Sequence, residues 1–254
     1  MRILNLEQGL FFEMGDGKNW RVVHPDMGAT QITLNHGIHA PGQEFTQHIH
    51  DESEDAIVCV EGNGSIRQGD IYTPITAGEM MFIPAGEVHG TKNTTDQSAR
   101  MMSFQAPPDM ALYRGERNYA PGQSPTPTND HVSNVQVIDM SKAGPVFGKP
   151  CDWRNVVSDQ KGAQHLSLDF IQLQTDEAFE HQAQPTESVY VFINGSAQVI
   201  AEDVAPSNEE RWNLTFKDVI FLSAGDTFSL CVTTPNVDNQ PTKLVYCRSL
   251  ARTY

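Results

Sequence analysis

Three histidines and two adjacent carboxylates stand at spacings that could assemble a metal centre. In the segment Gly42-Gln-Glu-Phe-Thr-Gln-His48-Ile-His50 the two histidines are separated by one residue. On a strand such residues face the same side, so both imidazoles would project together. Asp51 to Ser53 reads as a short polar turn, and an antiparallel return would bring a carboxylate of Glu54 or Asp55 beside them. Further on, Pro84-Ala-Gly86-Glu-Val-His89 reads as a turn leading into a strand that carries a third histidine. Three neutral imidazoles and a carboxylate suit a divalent first-row metal, with positions left open for substrate, water or dioxygen. Glu44 and Thr46 share strand parity with His48 and would line the mouth of such a site. Glu44 or Tyr72 could shuttle a proton, and Gln105, at the end of an apolar run, could face the cavity. Arg67 and Arg100 are the nearest arginines, and neither spacing marks a carboxylate site.

The elements that would carry these residues read as strands. Short runs rich in Val, Ile, Phe, Thr and Met recur between Gly, Pro, Asn and Asp, as in Ala56 to Glu61, Met80 to Ile83 and Arg100 to Gln105. Similar runs follow from Leu166 to Gln174 and from Lys243 to Arg248, and helical periodicity is weak throughout. Between the two sets lies Asn118 to Asp130, with Pro121, Pro125 and Pro127, which reads as a linker or crossing strap. The sequence also repeats. Glu44, His48, Glu54 and Gly62 recur at one constant offset as Glu177, His181, Glu187 and Gly195. Phe82, Ala85 and Gly86 recur at a slightly larger offset as Phe221, Ala224 and Gly225, which places the extra residues in the polar loop around Asp203 to Arg211. The implied division is 1–108, a linker over 109–134, and 135–254. In the second copy His50 becomes Ala183, Asp55 becomes Ser188 and His89 becomes Phe228, so that copy cannot close a ligand set. His181 and Glu187 are expected to bond to each other or to nearby backbone.

With 32 acidic against 17 basic residues, the net charge of −15 disfavours nucleic acid and anionic membranes as partners. The partner expected is a small-molecule substrate. The first residues lack the apolar stretch of a secretory signal, and the four cysteines are scattered without a CxxC pair, so a cytoplasmic location is expected.

The two histidine segments resemble the paired signature motifs of the cupin superfamily. Gly78, Pro84, Gly86, His89 and Asn93 match the second motif at every defined position, and Gly42, His48, His50 and Gly62 match the first. The departure is the acid: the spacing to Gly62 places Asp55 at the ligand position, with Glu54 as the alternative. The resemblance implies an all-β fold of tandem double-stranded β-helix (jelly-roll) barrels, with one divalent ion on the first: Fe(II) first, otherwise Mn, Zn or Ni. It implies a metal-dependent enzyme, read first as a non-haem Fe(II) dioxygenase. The alternatives are a non-oxidative isomerase, hydrolase or lyase, or a binding protein without turnover. Exposed barrel edges would be covered by pairing the two domains or by homodimerisation.

Overall fold

Residues that favour a pleated, half-buried surface dominate this chain, and it folds into strands. The structure, a computed structural model, describes all residues but 15, 16, 118, 120–122, 129, 202–209 and 251–254. The loop expected to hold the extra residues of the second copy therefore lies largely outside the described residues, as does part of the strap. Among the described residues, helix is confined to Met110–Tyr113 and short 3-10 turns.

The strands form two sheets of seven and two of four, one of each kind per jelly-roll barrel. By neighbours, the first large sheet runs Gln136–Asp139, Glu79–Ile83, Glu54–Glu61, Ala99–Ala106, Thr33–His39, Gly17–Val23 and Leu10–Met14. Its small sheet runs Glu44–His48, His89–Lys92, Asn63–Gln68 and Ile71–Thr76. The second barrel repeats both orders, so the sequence repeat is a repeat of topology. Two strands lie across the division expected from the sequence. Arg2–Asn5 pairs with Asp218–Leu222 of the second barrel, and Gln136–Asp139 pairs with Glu79–Ile83 of the first. Each half thus lends its first strand to the other and covers an edge that would otherwise be open.

Alternation along the strands sorts the core into layers. Along Glu54–Glu61, Ala56 and Val58 join Leu168, Val189, Phe221 and Val245 in one cluster between the large sheets, whereas Ile57 and Cys59 face the first barrel's interior. Glu54 and Glu187 tie the barrels together from repeat-related positions. Glu54 accepts hydrogen bonds from the backbone N–H groups of Gln164, His165 and Leu166 (2.7, 2.8 and 3.3 Å). Glu187 accepts from those of Thr30, Gln31 and Ile32 (2.9, 2.8 and 3.2 Å). The two carboxylates are counterparts in the repeat, and so are the two loops they hold, so this is one contact made twice across a pseudo-twofold axis.

An ionic network lies at the same junction. Arg100 bonds Glu61, Glu7 and His36 Nε2, each at 2.8 Å, while Lys217 also reaches Glu7. Burial and the Arg100 charge pull the His36 pKa down to about 4. An unfolded chain, with an ordinary histidine near 6.5, therefore binds more protons than the folded one between those values. Stability contributed by neutral His36 is complete above about pH 6.5 and falls as the pH drops towards 4. The thermal midpoint is expected to fall between about pH 7 and about pH 4.5, and His36→Gln to flatten part of that fall. An equal slope in the variant would show that His36 is not its source.

Candidate metal centre

The site is built where the two sheets of the first barrel meet. His48 ends Glu44–His48, His50 follows in the loop, His89 opens His89–Lys92, and Asp55 lies on the large sheet. The backbone N–H of Gly86, in the Pro84-Ala-Gly86 turn, donates to the His50 carbonyl at 2.8 Å, locking the two histidine segments together. All four side chains are buried, and one ligand atom from each lies within 4.8 Å of the other three. His48 Nε2 and His50 Nε2 are 3.1 Å apart; Asp55 Oδ2 lies 3.4 Å from His89 Nε2 and 3.5 Å from His50 Nε2.

The other ring nitrogens are each anchored on an oxygen. His48 Nδ1 faces the Thr46 carbonyl and His89 Nδ1 the Glu87 carbonyl, both at 3.0 Å, and His50 Nδ1 faces Asp109 Oδ2 at 2.6 Å. Since these oxygens accept only, each ring presents its Nδ1–H to them, which leaves Nε2 as the nitrogen turned inward. Three inward Nε2 atoms beside a buried carboxylate whose Oδ1 has no partner call for positive charge between them, so the donor set fits a divalent ion. Burial lowers the His48 pKa, and the neighbouring imidazoles lower it further. Burial also acts on His50, but Asp55 and Asp109 outweigh it and raise its pKa to about 9. Burial alone would raise Asp55, yet the His50 and His89 rings hold it well below the usual carboxylate range. The centre is thus strongly attractive to positive charge.

The structure separates the expected residues. Gln105 stands at the centre: its Nε2 lies 3.0 Å from His50 Nε2, and its Oε1 accepts from the Asp109 N–H at 2.9 Å. Asp55 supplies the carboxylate. Glu54 points the other way, into the inter-barrel contact, because adjacent strand residues face opposite sides. Glu44 and Thr46 also depart from expectation. His89 pairs with His48 and Thr91 with Phe45, so Gly90 alone stands opposite Thr46 and Gln47. This bulge reverses parity. Gly90 is the residue it requires, since a Cβ there would come within 2.5 Å of the Phe45 carbonyl oxygen. Phe45 therefore joins His48 in the cavity, Thr46 is exposed, and Glu44 turns outward to pair with Arg67 and Lys92. Tyr72 lies 39% exposed against the same two cations, away from the cavity. Arg100 belongs to the inter-barrel network.

Two important residues carry no mark in the motifs. Asp109, in the segment expected to be linker, caps the Met110–Tyr113 helix through Oδ1, and its Oδ2 holds both His50 and Arg117. An aspartate just before a helix start is the signal that could have found it. Arg21, on Gly17–Val23, lines the cavity although it lies far from either motif. The cavity occupies about 410 Å³ above the four ligands, with Phe12, Phe45, Ile57 and Leu112 on its apolar side. In the second barrel the ligand positions hold His181, Ala183, Ser188 and Phe228, and aromatic rings surround the one remaining imidazole. His181 Nδ1 meets the Tyr190 hydroxyl at 2.9 Å rather than Glu187, and Phe228 stacks on the His181 ring at 5.4 Å.

Comparison with known proteins agrees with this fold. Residues 36–104 match the family model of the cupin domain. Over 122 residues the chain is 27% identical to the tetracenomycin polyketide synthase protein TcmJ of Streptomyces glaucescens, covering 48% of this chain and 72% of that protein. The fold is similar to that of protein Ylba from E. coli, with a TM-score of 0.74, 9% identity, and coverage of 99% of this chain and 91% of that one. It is also similar to Lactobacillus farciminis oxalate decarboxylase in a formate complex, with a TM-score of 0.70, 16% identity, and coverage of 97% and 85%. At such identities the structural likeness speaks for the fold alone.

Proposed function

We propose that this two-barrel member of the cupin superfamily is a metal-dependent enzyme that acts on a small organic oxyanion without consuming dioxygen. The observation that carries the reading is the anchoring of all three imidazoles at Nδ1, which dedicates their Nε2 atoms to a common point beside Asp55. His48, His50, His89 and Asp55 would hold the ion, and Asp109 would fix the His50 ring. A bound divalent ion supplies Lewis-acid stabilisation of negative charge on a substrate oxygen. Gln105 lines the cavity with its amide nitrogen against His50 Nε2, and with an ion on that nitrogen its N–H would be free to donate to the substrate, while Phe45, Ile57 and Leu112 would keep water from it. Similarity in sequence to a polyketide synthase protein supports non-oxidative lyase or isomerase chemistry on such an oxyanion over oxygenation. The oxygenase remains the second reading, favoured by a four-ligand centre under an apolar wall.

The test is turnover of β-keto acids and hydroxyaromatic carboxylates by the metal-loaded chain, with and without dioxygen. Equal rates in both conditions, abolished by chelation, are expected. Dioxygen uptake in step with turnover would replace this reading by the oxygenase. Activity indifferent to chelation would sink both.

A further inference from the structure

The large sheet of the first barrel shows the cavity a row of polar groups that the fold itself does not need. Arg21 lies opposite Asn35 and Asn19 opposite Gly37 on neighbouring strands, all lining the cavity, with His39 further along. Asn19 and His39 are buried, and Asn19 Nδ2, Asn35 Oδ1 and His39 Nδ1 have no hydrogen-bond partner. Gly37 keeps the wall open, since a Cβ there would stand 2.8 Å from both Asn19 Oδ1 and His39 Nε2. The Arg21 guanidinium packs against the rings of Tyr113 (4.5 Å) and Phe12 (5.5 Å). Among the described residues no carboxylate pairs with it. Unpaired polar groups and a half-buried cation are costly in a barrel interior.

The second barrel provides an internal control. The repeat counterparts of Asn19, Arg21 and Asn35 are Trp153, Asn155 and Asp169. Asn155 faces Asp169 in the register that pairs Arg21 with Asn35. There the three groups satisfy one another: Trp153 Nε1 donates to Asp169 Oδ2 at 2.8 Å and Asn155 Nδ2 to Asp169 Oδ1 at 2.7 Å. The same strands can therefore close this network, and in the metal-bearing barrel they leave it open.

From this contrast we infer that Arg21, Asn19 and Asn35 form a recognition subsite for a ring-bearing organic anion, with Arg21 pairing its carboxylate or enolate. The inference rests on the proposed function only in taking that anion to be the substrate. An anion would neutralise the guanidinium, the asparagines would bond its remaining oxygens, and Phe12, Phe45 and Ile57 would pack its ring. This charge recognition needs no metal, so it can be measured with the ion removed.

The probe is 3-hydroxy-2-naphthoate, with neutral 3-hydroxy-2-naphthamide as its partner, each titrated by fluorescence into the full chain. Both are run on zinc-loaded and on chelator-stripped protein. The parent is expected to bind the acid at least about tenfold tighter than the amide in both states, and Arg21→Ala to abolish that preference. Asn35→Asp keeps the arginine but gives it an internal carboxylate, as Asp169 serves Asn155; it is expected to weaken the acid by a similar factor. Absence of the acid preference in the parent, or its survival in Arg21→Ala or Asn35→Asp with a parental thermal midpoint, would overturn the subsite. If instead the chain retains no metal while the Arg21-dependent preference persists in stripped protein, the subsite stands and the metal-dependent function falls.

Discussion

His89→Ala is expected to lower divalent-metal affinity by about a hundredfold or more, so that the purified variant carries little metal. His181→Ala is expected to leave the metal content of the parent unchanged. His89 Nε2 is one of four converging donors, whereas its second-barrel counterpart Phe228 stacks on His181, whose Nδ1 is already occupied by Tyr190. A divalent ion offered that one imidazole has too few donors to close its coordination shell. Elemental analysis by plasma mass spectrometry, after anaerobic purification without chelator, decides the matter. About one ion per chain in the parent is the expected value. A content near two ions per chain, or loss of metal on replacing His181, would mean that the sites are wrongly assigned.

Glu54→Ala separates two roles that its position beside Asp55 confuses. As a metal ligand, its loss would strip the ion. As the inter-barrel contact seen here, its loss leaves three backbone N–H groups unpaired at a buried junction. Each charge-assisted bond is worth about 1.5–3 kcal/mol, and water recovers part of the loss, so about 3–5 kcal/mol is expected overall. For a chain of this size that corresponds to a fall of about 10 °C in thermal midpoint. Glu187→Ala is expected to fall by a similar amount, since it makes the mirror contact. Both variants keep their metal. A metal-free Glu54→Ala variant with an unchanged midpoint would reverse the assignment.

Legibility in the sequence follows the range of the interactions. Motif spacing and period-two alternation are local, so the strands, both barrels and the three histidines are readable directly. The preference for Asp55 over Glu54 comes from the register to Gly62, another local quantity. Glu44 is misplaced by a bulge whose only trace in the sequence is Gly90, a glycine that matters because of a strand far away in the chain. The retention of Glu54 as Glu187 is visible, but its meaning is not. Both carboxylates answer loops in the opposite barrel, and no spacing within one copy reports on those. Asp109 reaches His50, and Arg21 the cavity, by tertiary packing, from a loop after the first barrel's last strand and from a strand outside the motifs.

The exchange of Arg2–Asn5 and Gln136–Asp139 between the halves has a consequence for how such a chain can change over time. Two identical single-barrel subunits that swapped their first strands would present this same arrangement as a symmetric dimer. Such a dimer dissociates on dilution, and every substitution in it appears twice. Joined in one polypeptide, the partner is always present and mass action no longer governs assembly. Each copy is then free to diverge: one can keep its histidines while the other trades them for Ala183 and Phe228 and still serve as scaffold. The loss of ligands in the second barrel is in this sense permitted by the swapped strands, which make that barrel indispensable for reasons unrelated to chemistry.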